Sequence, residues 1–104
     1  MSHKLKKHLP ELQVLAKCRP RQRKRFLKHA HKDLINCISE VCTNTLKGNV
    51  PLKPAQKKAL VRYKGYLRQV ADKRNSNKKR REILVQKGGF IGALITPLLS
   101  ALFS

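Results

Sequence analysis

The sequence predicts an all-α protein, a small bundle of about four to five short helices with a basic N-terminal arm and a hydrophobic C-terminal tail. Three observations predict it. Apolar residues recur at three- and four-residue steps between residues 9 and 87, the spacing of a stripe along one helix face. No stretch of useful length alternates apolar and polar residues at the period of two that a strand requires. Proline and glycine stand where such stripes begin and end. At 104 residues there is room for one small domain. A chain of this size buries roughly 60 to 70% of its unfolded surface, enough for a helical core but not for a deep catalytic cleft.

Residues 1–8, MSHKLKKH, are basic and aperiodic and read as a loose arm. Leu9-Pro10-Glu11 reads as a helix entry, because proline is tolerated in the first turn and an acid there suits the positive end of the dipole. Leu12, Leu15 and Ala16 carry that helix to about Lys17, and Cys18-Arg19-Pro20 ends it, since the residue before proline is pushed out of helical geometry. A second helix runs from Arg21 to about Ala30, with Phe26, Leu27 and Ala30 facing inward. The third, about Lys32 to Leu46, is the least charged stretch before the tail; its Leu34, Ile35, Ile38, Val41, Cys42 and Leu46 make it the core helix. Gly48-Asn49 stops it, and Val50 to Pro54 is a stiff connector.

Pro54 opens the longest expected helix, to about Lys73, with Ala59, Leu60, Tyr63, Leu67 and Val70 inward and Gly65 as its weak point, at a cost of ~1 kcal/mol relative to Ala. Arg74-Asn75-Ser76-Asn77 is a turn in which Ser76 or Asn77 caps a fifth helix to about Gln86, with Ile83, Leu84 and Val85 for contacts. Three units follow: the arm (1–8), a basic helical nucleic-acid-binding domain (9–87), and the Gly-Gly junction with the tail (88–104).

Charge narrows the partner class. Lys and Arg number 25 against 5 acids, a formal net charge of +20, and the pI is near 10.8. Such an excess repels itself in a folded chain and is relieved by a dense polyanion. Residues 1–32 hold 11 of the cations, residues 53–87 hold 13, and Lys47 is the last, so the two blocks flank the apolar third helix. A bundle of this pattern displays cations over much of its outside, which suits neutralising a phosphate backbone without sequence specificity. The candidate contacts are Arg19, Arg21, Arg23, Lys24, Arg25 and Lys28 in the first block. In the second they are Lys57, Lys58, Arg62, Lys64, Arg68 and the run Lys78-Lys79-Arg80-Arg81, which also matches the loose pattern of a nuclear-entry signal. The aromatics are too few for extensive base stacking; Tyr63 reads as core and Tyr66 as a contact.

Catalysis finds no support. Glu11, Asp33, Glu40, Asp72 and Glu82 are scattered among cations, with no pair spaced for acid and base work, and no phosphate loop, zinc-protease motif or nucleophile elbow occurs. No enzyme activity, cofactor or small-molecule substrate is expected. Cys18, Cys37 and Cys42 are odd in number and lack a CxxC pair, which fits reduced thiols acting as small apolar residues in a reducing compartment. Their spacing with His29 and His31 matches no recurring zinc pattern, so no metal is expected.

From Phe90 to Ser104 no side chain is charged. Phe90, Leu94, Leu98 and Leu102 form one four-residue row and Ile91, Ile95 and Leu99 a second, beside small residues at Gly92, Thr96 and Ser100. Pro97 is expected to kink or interrupt this helix. Phe90 to Phe103 is shorter than the ~20 residues a helix needs to span a bilayer, so the tail finishes the protein's own core, docks on a partner or lies in a membrane interface.

A strongly basic segment, then a basic residue with Gly-Gly, then an Ile/Leu/Pro/Ala-rich end, here QKGGFIGALITPLLSALF from Gln86 to Phe103, resembles the precursor of the adenoviral X (mu) core protein and the related core proteins of Polinton and adintovirus elements. The resemblance covers about a sixth of the chain. It implies a virion core protein that condenses double-stranded DNA, enters the host nucleus for assembly, is carried in the capsid beside other core and capsid proteins, and is cleaved at Gly88-Gly89. The family's protease pattern has Met, Ile or Leu two residues before the Gly-Gly, where this chain has Gln86. The alternative reading is a membrane-active or capsid-scaffold-binding protein acting through its tail, with the cations on anionic lipid. A basic RNA-binding protein of ribosomal type is a third, since nothing in the residues separates RNA from DNA.

Overall fold

The computed structural model describes residues 3–103 of the backbone and the side chains of residues 5–102. Its elements are α1 (His3–Lys7), α2 (Leu9–Lys17), α3 (Pro20–His29), α4 (Lys32–Leu46), α5 (Pro54–Val61), α6 (Lys64–Ala71), α7 (Asn77–Lys87), a 3₁₀ turn (Gly88–Phe90) and α8 (Ile91–Phe103), with no strand among the described residues. The all-helical class stands, with a finer division than expected. Where they are described, residues of the expected loose arm form α1, with Leu5 buried; residues 1 and 2 lie outside the described residues.

α4 is the centre. It packs against α6, α7 and α8, while α2 lies along α8 and α3 along α7. Leu34, Ile35, Ile38, Val41 and Cys42 are 0% exposed, and the inward face expected of α4 is the face that is buried. Burial of this kind stabilises at roughly 25 cal/mol per Å² of apolar surface. The stop after α4 is a Schellman turn. The Gly48 N–H donates to the Thr45 carbonyl at 3.1 Å and the Asn49 N–H to the Asn44 carbonyl at 2.9 Å. Gly48 has φ +78°, a left-handed conformation that a Cβ would strain.

The expected long helix from Pro54 breaks at Arg62–Tyr63, ahead of Gly65. The break lets both tyrosines reach the tail. Tyr63 and Tyr66 place their ring centroids 5.7 and 6.4 Å from that of Phe90, the second pair stacked. α6 ends against α4, where the buried Ser39 hydroxyl donates to the Val70 carbonyl at 2.7 Å and satisfies one of the acceptors that a helix C-terminus leaves open.

The tail is part of the bundle. α7, the 3₁₀ turn and α8 follow one another without a loop, and Phe90, Ile91, Leu94 and Ile95 are 0% exposed, with Leu98 also buried and Leu99 and Leu102 half-buried against the core. Pro97, expected to kink or interrupt the helix, sits inside α8 without interrupting it. The N–H it lacks would have served the Ala93 carbonyl, and Ala93 lines an open groove of small residues against α5, where solvent can take that role. By length and composition the run Asn77–Leu102 is long and apolar enough to cross a bilayer, because α7 supplies the turns that the tail alone lacks; its largest apolar side chains nevertheless pack on protein.

Candidate nucleic-acid interface

Twelve of the fifteen basic residues singled out above are exposed, and they spread over four helices rather than one recognition helix. Arg19, Arg21, Lys24, Arg25 and Lys28 lie at the start and outer face of α3; Lys57 and Lys58 lie on α5. Arg62 sits at the break, Lys64 and Arg68 on α6, and Lys78 and Lys79 on α7. Lys6, Lys7, Lys17, Lys32, Lys47, Lys53, Lys73 and Lys87 are exposed as well, and belong to the same field although they stand outside the dense runs.

The other three are half-buried and make contacts within the fold. Arg81 Nη1 donates to the Leu27 carbonyl at 2.7 Å. Arg80 Nη2 donates to Asn36 Oδ1 at 3.1 Å. Arg23 lies over the Gly-Gly turn: a Cβ built on Gly88 would stand 3.4 Å from its Nε, which is buried and has no hydrogen-bond partner. A charge run in sequence does not reveal which of its members folds back on the protein, because long side chains carry their stems along apolar surface.

The protein's own acids neutralise little of the field. Among the described residues, Arg74 is the one Lys or Arg within ion-pairing distance of a carboxylate, Asp72, at 2.9 Å. The Arg74 guanidinium holds the Asp72 carboxyl below its ordinary value, chiefly through their side-chain hydrogen bonds. Glu11 pairs with His8 at 2.8 Å and Asp33 lies 3.4 Å from His31.

Helix starts reinforce the positive field. α3, α5, α6 and α7 carry no acid in the first turn, although an acid there is ordinarily favourable. Two of them share a device: in Arg19-Pro20-Arg21-Gln22 and Lys53-Pro54-Ala55-Gln56 the Gln side chain accepts from the backbone N–H of the basic residue three positions earlier, at 3.3 and 2.8 Å. Glutamine does the capping work of glutamate and leaves the positive helix end uncompensated. The signal, a basic residue followed by Pro-x-Gln, is legible in the sequence.

The junction residues are in a folded turn. Gly88 is buried and Gly89 exposed within the 3₁₀ segment, so cleavage between or after them requires that segment to open. Cys37 and Cys42 are buried in α4, and burial pushes the Cys42 thiol up to about 12; Cys18 is half-buried. His29 and His31 are exposed at the α3–α4 corner. Compared with models of protein families, with curated proteins and with solved structures, the chain matches none.

Proposed function

We propose that this chain is a non-enzymatic virion core protein that binds and condenses double-stranded DNA by neutralising phosphates without reading sequence. The observation that carries the DNA-binding part is the spread of exposed Lys and Arg over α3, α5, α6 and α7 with a single carboxylate partner among the described residues. A field so distributed contacts backbone from several sides at once, the requirement for drawing DNA segments together rather than reading one groove. The virion and nuclear setting, and an association with other core or capsid proteins, rest on the resemblance of Gln86 to Phe103 to adenoviral-type core precursors. Burial of the tail's large side chains favours this reading over one in which the tail acts on a membrane.

A filter-binding titration on random-sequence duplex tests it. With six to ten phosphate contacts, affinity falls roughly 10³- to 10⁵-fold between 50 and 200 mM salt and is the same for unrelated sequences. Salt-insensitive or strongly sequence-selective binding overturns it. The virion setting is checked separately, by whether the protein purifies from its source in DNA-containing particles.

A further inference from the structure

α3 carries a feature beyond its phosphate contacts. Arg21, Arg25 and His29 stand in one four-residue row and Gln22, Phe26 and Ala30 in the adjacent row, and both rows line an open groove of about 590 Å³ that Glu11 and His31 complete. Phe26 packs against the core yet is only half-buried. Tyr63 and Tyr66 each contact Phe90; among the described side chains Phe26 is the aromatic without a ring partner.

We infer that this groove holds one unstacked base of single-stranded nucleic acid against Phe26, with Arg21 and Arg25 on the adjoining phosphates. The inference rests on the nucleic-acid reading above and adds a substrate form to it. The volume falls within the ~300 to 1,000 Å³ of small-ligand sites. The charges are complementary: two arginines line the groove, and its one acid, Glu11, is already engaged by His8 at 2.8 Å. Polar donors remain for a base edge. Gln22 spends its oxygen on the Arg19 N–H and keeps its NH₂; His31 spends Nδ1 on the Asp33 N–H and keeps Nε2. An aromatic platform beside cations is the recurring arrangement of sites that hold single strands without sequence preference. Bases in an intact duplex are stacked on one another, so the groove takes single-stranded stretches or frayed ends.

The chain contains no Trp, so Phe26→Trp places a single indole in the groove. Oligo(dT) should quench its emission, while a fully abasic oligomer of equal length should bind without quenching. With the unaltered protein, oligo(dT) should bind about tenfold more tightly than the abasic oligomer, and Phe26→Leu should abolish that preference while changing duplex affinity less than about twofold. Equal affinity of the unaltered protein for the two oligomers, or equal quenching of the indole by both, overturns the inference and leaves duplex binding standing. Failure of the unaltered protein to bind any nucleic acid overturns both readings.

Discussion

Arg81 Nη1 stands 2.7 Å from the Leu27 carbonyl oxygen, and 3.5 Å from that of Lys28, so a cation from α7 closes the C-terminal end of α3. The Leu27 carbonyl otherwise accepts only a long bond, 3.4 Å from the Ala30 N–H, and lies at the negative end of the helix dipole. The contact makes Arg81 a structural residue inside a run that reads as a phosphate-binding patch.

Arg81→Ala should therefore lower unfolding stability by about 1.5 to 3 kcal/mol, the range for a hydrogen bond involving a charged group. Lys78→Ala, on an exposed side chain, should stay within about 0.5 kcal/mol. On DNA the order reverses: Lys78→Ala should reduce the salt slope by about 1. Denaturant unfolding and salt-dependent binding of the two variants check the assignment.

Phe90 is fully buried and touches both Tyr63 and Tyr66. Phe90→Ala should cost about 3 to 5 kcal/mol, a large part of the ~5 to 15 kcal/mol available to a domain. Removing residues 90–104 should abolish cooperative unfolding altogether. Thermal melts followed by circular dichroism distinguish this from an independent tail, whose removal would leave the melt unchanged.

The two junction glycines should respond differently to a methyl group. A Cβ on Gly88 would meet Ile91 Cδ1 at 3.0 Å, whereas one on Gly89 meets nothing within 4 Å. Gly89→Ala should be neutral or stabilise by up to about 1 kcal/mol, and Gly88→Ala should be the worse of the two by roughly 1 kcal/mol. The folded protein should also resist proteolysis at this turn, with cleavage appearing only in denaturant; rapid cutting in native buffer would show that the turn opens readily.

Cys42 supplies a pH dependence. Its thiol stays protonated in the fold up to about 12, while an unfolded thiol ionises near its ordinary value of 9.0. The unfolded state alone then loses a proton as pH rises past 9.0, so the stabilising contribution is complete below that value and declines toward 12 by about 1.4 kcal/mol per pH unit. Comparison with Cys42→Ala isolates this slope from changes common to both proteins. Thiol labelling in native buffer should modify Cys18 first and reach Cys42 only on unfolding.

Much of the fold was legible because apolar spacing is a direct record of burial. The stripe from Leu34 to Cys42 and the pair Leu12 and Leu15 lie inside, and Ser76 caps α7 by accepting from the Lys79 N–H at 3.1 Å. The break at Arg62–Tyr63 was not legible, since it answers to Phe90, almost thirty residues away, and leaves Val61 66% exposed. For a similar reason Pro97 does not interrupt α8: the cost of a proline inside a helix depends on what surrounds the carbonyl it fails to serve. Of the charged candidates, composition told sign and density, but the inward turn of Arg23, Arg80 and Arg81 depends on groups distant in sequence, the Gly88 turn, the Asn36 side chain and the end of α3, that only the packed bundle brings near them.

The pairing of α2 with α8 joins stretches near opposite ends of the described chain. Closing so long a loop carries an entropic penalty that nearer contacts, such as α6 with α7, avoid, so it is expected to come late in folding. Until it does, the part of α8 that α2 covers faces solvent while the cations repel one another. Refolding should consequently lose material to self-association as protein concentration rises, at a step that added polyanion relieves electrostatically without covering that part of α8.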